Sequence, residues 1–346
     1  MSKIKTNLLV TGGCGFIGSN FINYVFDQNK YSIVNVDCIN YCADEENVDA
    51  HIRASPDYVF YKNNINDQSR MLEILRQHRI NVVVHFAAQS HVQNSFDDSL
   101  LFTHDNVLGT HNLIEACRKY DKLTKFVHVS TDEVYGESHL GEKEQKKDEF
   151  SVLSPTNPYA ATKAAAEMIV SSYHKSFGVP VIISRGNNVY GYNQYPEKVI
   201  PRFINLLMDG SPVTVQGDGS AVRGFLHVTD TAAAFDCIIE KGVVGEIYNI
   251  GCDDKDEYTV SEVAEMLIRA IKGSDVAVTD HISYIKDRPF NDQRYYINNL
   301  KIRELGWEPR VEFVEGIRLL IQHEKNKRAG TLTNRRANMV GGERWI

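Results

Sequence analysis

Ser130-Thr131-Asp132-Glu133-Val134-Tyr135-Gly136, with Tyr159-Ala-Ala-Thr-Lys163 downstream, places a hydroxyl, two adjacent carboxylates and a Tyr/Lys pair in one chain. These groups suffice for an oxidation and an elimination on the same substrate. Residues four apart share a helix face, Pro158 suits a first helical turn, and the run Tyr159 to Phe177 is rich in Ala. A Lys ammonium one turn from a phenol favours the phenolate, so Tyr159 is expected to take a proton from a substrate hydroxyl near neutral pH. Two carboxyls in one site tend to separate in pKa, one acting as acid and the other as base. The plain alternatives are a solvated strand end and an ordinary amphipathic helix. The apolar strand Phe126 to Val129 just before the pair, and a nucleotide motif elsewhere, argue against both.

That motif is Gly12-Gly13-Cys14-Gly15-Phe16-Ile17-Gly18, which follows the apolar strand Asn7 to Thr11 and opens the helical run Ser19 to Gln28. Glycines at this spacing allow a tight turn and close approach of backbone to a pyrophosphate, which then faces the helix amides and dipole. A second strand, Ser32 to Asp37, ends in an acid 19 residues past Gly18. Such an acid accepts from ribose hydroxyls and repels a 2′-phosphate, so NAD is favoured over NADP.

The elements that must hold these groups alternate. Strand-like runs at Leu8–Thr11, Ile33–Asp37, Tyr58–Lys62, Val82–Ala87, Phe126–Ser130 and Val181–Arg185 are separated by helical patterns at Phe16–Gln28, Asp67–Arg79, Leu101–Tyr120 and Tyr159–Phe177. Near-continuous Val/Ile strands between helices predict an α/β fold, a Rossmann-type doubly wound parallel sheet. Gly12, Asp37, Ala87-Ala88, Ser130-Thr131 and Arg185 fall at strand ends, where ligands bind in such sheets. After Arg185 the alternation loosens. Residues 186–191, 195–198 and 216–219 read as loops around a helix near Lys198–Met208, Val228–Lys241 and Glu246–Ile250 return to the sheet, and helices are expected near Thr259–Lys272 and Val311–Lys327. The expected division is a cofactor domain (1–186 and 225–250), a smaller C-terminal substrate lobe (187–224 and 251–327) and a polar tail (328–346).

At 346 residues the chain can bury a large core, and 42% hydrophobic with 24% charged residues is ordinary for a globular protein. A net charge of −7 leaves no electrostatic footprint for nucleic acid. No stretch approaches the ~20 apolar residues of a membrane span. The run Leu8 to Val10 is too short for a signal peptide. Six cysteines lack paired metal spacing, so no metal is expected and reduced thiols in a cytoplasmic setting are. Cys14 is read as filling a position in the loop.

With these residues in hand, the chain resembles the extended short-chain dehydrogenase/reductases over roughly residues 5–325, and within them the nucleotide-sugar 4,6-dehydratases. Thr131-Asp132-Glu133 is the triplet that separates dehydratases from the similar epimerases. Further matching segments are His85-Phe-Ala-Ala-Gln-Ser-His91, Arg185-Gly-Asn-Asn-Val-Tyr-Gly191, Pro196-Glu-Lys198 and Arg288-Pro-Phe-Asn-Asp-Gln-Arg-Tyr295. The last looks like the dehydratase domain of plant UDP-rhamnose synthases, so UDP-glucose is favoured and dTDP-glucose comes next.

The resemblance implies that Tyr159, with Lys163 and Thr131, oxidises C4 with NAD, that Glu133 takes the C5 proton, and that Asp132 protonates the departing 6-hydroxyl. It puts Gly12, Gly15, Phe16, Ile17, Gly18, Asp37, Asn64, Ile65, Ala87 and Ala88 at the cofactor, with Asn64 standing where relatives often carry Asp. Ser90, Asn188, Lys198, Arg223, Asn249 and Arg288 would hold the substrate, the two arginines clamping its diphosphate. His85 and His91 are read as structural or positioning residues. A homodimer through Leu101–Tyr120 and Tyr159–Phe177 is implied. The rivals are a UDP-hexose 4-epimerase or UDP-glucuronate decarboxylase, neither of which needs Asp132 and Glu133, and a non-catalytic NAD-binding regulator, which could dispense with the Tyr/Lys or acidic pair.

Overall fold

The computed structural model describes residues 5–141 and 145–330. The tail from residue 331 onward therefore lies outside the described residues. Seven strands, β1 (Thr6–Thr11), β2 (Tyr31–Asp37), β3 (Tyr58–Lys62), β4 (Val82–His85), β5 (Lys125–Thr131), β6 (Val181–Gly186) and, later in the chain, Ile247–Ile250, form one parallel sheet. Counting the intervening strands β7 (Asn188–Tyr190), β8 (Val213–Gln216) and β9 (Val222–His227), Ile247–Ile250 is β10, and the sheet order is β10-β6-β5-β4-β1-β2-β3. The order turns back between β1 and β4, which opens the crevice that receives a ligand in such sheets.

Side chains alternate across each strand. Leu8 and Val10 of β1 go into one core with Phe21, Ile22 and Phe235. Leu9 goes into the opposite one with Val83, Leu113 and Phe126. Both faces are buried, as the unbroken apolar strands require. A third cluster, Tyr190, Phe203, Leu207, Val215, Phe225, Leu267 and Phe313, forms the core of the C-terminal lobe. There β9 joins β7 in parallel and β11 (Glu257–Thr259) antiparallel, while β12 (Ile282–Ile285) pairs with β8. Asn188–Tyr190, read as loop in the sequence, is thus a strand. The expected boundary at 224/225 falls within β9, where Phe225 joins the third cluster and Leu226 the first.

The helix expected over Leu101–Tyr120 is interrupted. Ser99–Phe102 and Gly109–Tyr120 are α-helical, but Thr103–Leu108 between them is π-helical. The wider turn aims the buried Asn106 inward, where its Oδ1 accepts from Gln89 N at 2.7 Å and its Nδ2 donates to Gln89 O and Thr162 Oγ1, both at 3.0 Å. Single π turns often mark functional sites; this one pins the loop after β4 to the helix Pro158–Phe177. No described helix is long and apolar enough to cross a membrane.

Candidate active site

The glycine loop leaves β1 and enters the helix Phe16–Phe26 with Gly15 at its N-cap and no side chain bonding the first amides. Gly12 has φ +71°, and a Cβ there would meet Ala87 N at 2.6 Å; one at Gly18 would meet Gly12 O at 2.2 Å. Only glycine fits so close a crossing. Asp37, at the end of β2, accepts from Cys14 N at 3.0 Å and Ile39 N at 2.8 Å. Burial pushes its carboxyl up while those amides pull it down. Open helix amides beside a tight glycine turn and a strand-end acid fit the pyrophosphate and ribose of a dinucleotide. Cys14 is buried, with its thiol pushed up to about 12 by burial and Asp37, which makes it inert filling.

One cleft runs from this loop to the acidic pair. Its walls include Gly12, Gly15, Phe16, Ile17, Gly18, Asp37, Asn64, Ile65, Ala87, Ala88, Ser90, Thr131, Asp132, Glu133, Tyr159, Lys163, Asn188 and Lys198. Cofactor and catalytic residues expected from sequence therefore come together in one place. Among the described residues no His, Cys, Asp or Glu group is arranged for a metal.

At the catalytic end, Asp132 opens a short 3-10 turn that directly continues β5. Its carboxyl is pushed up to about 7 by burial and by Glu133, while Asn187 Nδ2, at 2.7 Å, and the Thr131 hydroxyl oppose the shift. Glu133 is also raised by burial, but Asn157 Nδ2 at 3.1 Å and the charges of Arg223 and Lys198 favour its ionised form. The two carboxyls thus sit among different neighbours. Because Asp132 titrates higher in the folded chain than its usual 3.8, its own contribution to stability falls as pH rises from about 4 to about 7 and then levels off. Asp132→Asn removes that loss. Calorimetry should show the variant gaining thermal midpoint relative to wild type across that window, and a pH-independent difference would show that Asp132 is not perturbed.

The Tyr/Lys reading needs correction. Lys163 donates to Val129 O at 2.6 Å, and burial lowers it to about 8. The Tyr159 phenol is pushed well above its ordinary range by burial and by the charges of Glu133 and Asp132; the adjacent Thr131 hydroxyl pulls the other way. In the protein alone, one ammonium a turn away does not overcome those terms, so the phenol stays protonated.

Arg223 and Arg288 stand beside the acidic end. Arg223 Nη2 donates to Asn291 Oδ1 at 3.1 Å, its guanidinium lies 4.9 Å from the Tyr295 ring, and Arg288 Nη2 donates to Gln216 Oε1 at 3.1 Å. Among the described residues Arg288 Nε is buried without a partner. Two neighbouring guanidiniums, one lowered by burial and by the other's charge, suit the binding of a polyanion. Lys198 donates to Ser90 O at 2.9 Å.

Asn249 is not at the cleft. It lies on β10, accepts from the Tyr135 hydroxyl at 2.8 Å and donates to Lys147 O and Asn298 O. With its amide spent inside the protein, it serves the frame and not the ligand. His85 is structural as expected. It is held by Thr11 Oγ1 at 2.7 Å and Thr110 Oγ1 at 2.9 Å, and burial lowers it to about 3. His91 bonds Asn94 Oδ1 at 2.9 Å.

Sequence reasoning missed the groups that hold the acids. Asn157 and Asn187 are two; Tyr295, whose hydroxyl lies 3.4 Å from Glu133 Oε2 and bonds Asp292, is a third. Asn157 caps the helix Pro158–Phe177, its side chain accepting from Ala160 N. Its second bond, to Glu133, is tertiary.

A sheet that binds a dinucleotide at its turn-back point, with a Tyr/Lys pair and two adjacent carboxyls at the far end of the same cleft, defines an NAD-linked enzyme of the short-chain dehydrogenase/reductase kind. The chain belongs to the GDP-mannose 4,6 dehydratase family, whose model matches residues 9–320. It is 44% identical over 313 residues to the trifunctional UDP-glucose 4,6-dehydratase/UDP-4-keto-6-deoxy-D-glucose 3,5-epimerase/UDP-4-keto-L-rhamnose-reductase of Arabidopsis thaliana, an alignment that covers 90% of this chain and 46% of that protein. The chain thus spans about half the length of that relative. It is 43% identical to human dTDP-D-glucose 4,6-dehydratase, over 91% of this chain and 89% of that one. Among solved structures, a dTDP-glucose 4,6-dehydratase from Streptomyces venezuelae with NAD bound matches with a TM-score of 0.87 and 34% identity, covering 94% of this chain and 98% of that one.

Proposed function

We propose that the chain catalyses NAD-dependent 4,6-dehydration of a nucleoside-diphosphate glucose to the 4-keto-6-deoxy sugar, with UDP-glucose the preferred substrate. The observation that carries the reading is the placing of buried Asp132 and half-buried Glu133, each bonded by a different asparagine, in one cleft that also reaches the glycine loop. NAD, held by the glycine loop and Asp37, would supply the hydride acceptor for C4 and the hydride donor for C6. Tyr159 takes the proton of the 4-hydroxyl, helped by Thr131 and Lys163. Glu133 then takes the C5 proton, made acidic by the new ketone, as Asp132 gives its proton to the departing 6-hydroxyl, and Glu133 returns a proton to C5 once C6 has received the hydride. Arg223 and Arg288 hold the diphosphate together with Asn188, and Lys198 and Ser90 meet the substrate from the cleft wall.

The choice of nucleotide rests on Arg288-Pro-Phe-Asn-Asp-Gln-Arg-Tyr295, which looks like the plant UDP-linked enzymes; overall identities of 44% and 43% do not discriminate. Separate incubations with UDP-glucose and dTDP-glucose, followed by mass spectrometry, test this. A higher kcat/KM for UDP-glucose is expected, and a preference for dTDP-glucose would reverse the assignment.

Asp37 should govern cofactor choice. Asp37→Ala removes the acceptor for the ribose and the charge that repels a 2′-phosphate, so NAD binding should weaken and its advantage over NADP narrow. Unchanged affinities for both would place the ribose elsewhere.

The chain is also proposed to act as a homodimer through its helices at 99–120 and 158–177, where Leu100, Leu101, Leu108, Met168 and Phe177 are exposed. Light scattering showing a monomer at micromolar concentration would contradict this.

A further inference from the structure

Arg185 and Glu167 form a buried ion pair that touches no part of the cleft. Their side chains are 4% and 3% exposed, and neither lines the cavity. The guanidinium fork grips the carboxylate through Nε, at 3.2 and 3.1 Å, and through Nη2, at 2.7 Å. A buried pair of this kind is a poor device for stability, because desolvating both ions offsets most of their attraction. Its position suggests another use.

Glu167 lies on the helix Pro158–Phe177, one turn beyond Lys163 and two beyond Tyr159. Its charge also supports the ammonium of Lys163, which burial opposes. The remaining arm of Arg185, Nη1, donates to the Tyr135 hydroxyl at 2.8 Å and to Glu149 O at 3.3 Å. The guanidinium also sits 4.7 Å from the Tyr135 ring centre. Tyr135 ends the same short turn that begins with Asp132 and Glu133, and its hydroxyl donates in turn to Asn249 Oδ1.

We propose that Arg185, with Glu167 and Tyr135, is a positioning bracket that fixes the oxidising pair Tyr159/Lys163 relative to the eliminating pair Asp132/Glu133. One side chain on β6 holds both supports, so a sugar seated for hydride removal at C4 is already seated for proton removal at C5. This deepens the dehydratase reading and rests on it.

Two variants separate the two arms. Tyr135→Phe keeps the ring and loses only the hydroxyl through which Arg185 holds the acidic turn. In a single turnover it should oxidise at the wild-type rate but eliminate more slowly by on the order of 10–10²-fold, the scale of a small misplacement, so reduced nicotinamide builds up before product. Glu167→Gln loosens the helix arm, should slow oxidation by a similar factor, and should show no such build-up. Hydrogen exchange gives a readout apart from activity: the amides of residues 134–136 should exchange faster in Tyr135→Phe than in wild type. Equal slowing of both steps in Tyr135→Phe, or no change in either, overturns the bracket while leaving the dehydratase reading intact if wild type still releases water from the sugar. Wild type that dehydrates neither UDP-glucose nor dTDP-glucose removes the reading and the bracket with it.

Discussion

Tyr159→Phe is expected to stop the reaction at its first step, with no reduction of nicotinamide on addition of UDP-glucose and turnover lower by ~10²–10⁴-fold, the usual cost of removing a general base. The phenol has Lys163 one turn away on the same helix and the Thr131 hydroxyl at its side. Phe keeps the ring, which meets Phe102 edge-on at 6.3 Å, so packing should survive and the loss should fall on chemistry. Because burial and the two carboxylates hold the phenol protonated in the protein alone, its activation must come from what enters the cleft. With sugar nucleotide and cofactor bound, the wild-type rate of nicotinamide reduction should therefore rise with pH on the acid side. Stopped-flow absorbance of the nicotinamide would show this, and a Tyr159→Phe protein that still reduces its cofactor would move the base elsewhere.

Glu133→Gln should separate the two halves of the reaction. The amide keeps the shape and can still meet Asn157, but it has no basic oxygen for the C5 proton. Oxidation at C4 should persist, reduced cofactor should accumulate within a turnover, and elimination should slow by ~10²–10⁴-fold. In deuterium oxide the wild-type product should carry deuterium at C5, since a proton taken by Glu133 can exchange before its return. Wild-type dehydration rates in Glu133→Gln would exclude Glu133 as the base.

The sheet was legible because β1, β2, β4, β5 and β6 are buried on both faces and read as apolar runs. In the C-terminal lobe, β7 and β11 have three residues each and β8 and β12 four, too short for a period to show. Their partners are also far away in sequence, as with Ile282 beside Val213. The π turn at Thr103–Leu108 was hidden for a related reason: it goes with bonds from Asn106 to Gln89 and Thr162, which no local window contains.

At the site, residue types and spacing pointed to the catalytic groups but not to their charge states. Lys163 four residues after Tyr159 suggested a lowered phenol, whereas depth in the fold and the nearby Asp132 and Glu133 set the opposite direction. Asn249 shows the converse. Its place at the end of β10 suited a ligand contact, but its side chain points into the bonds that hold Tyr135.

The central claim, dehydration by an internal hydride transfer, is tested most directly with UDP-glucose deuterated at C4. Incubated with enzyme and no NAD beyond what the protein binds, the sugar should leave lighter by one water with the deuterium at C6. A product of unchanged mass inverted at C4, or release of the label with NADH accumulating in proportion to product, would contradict it.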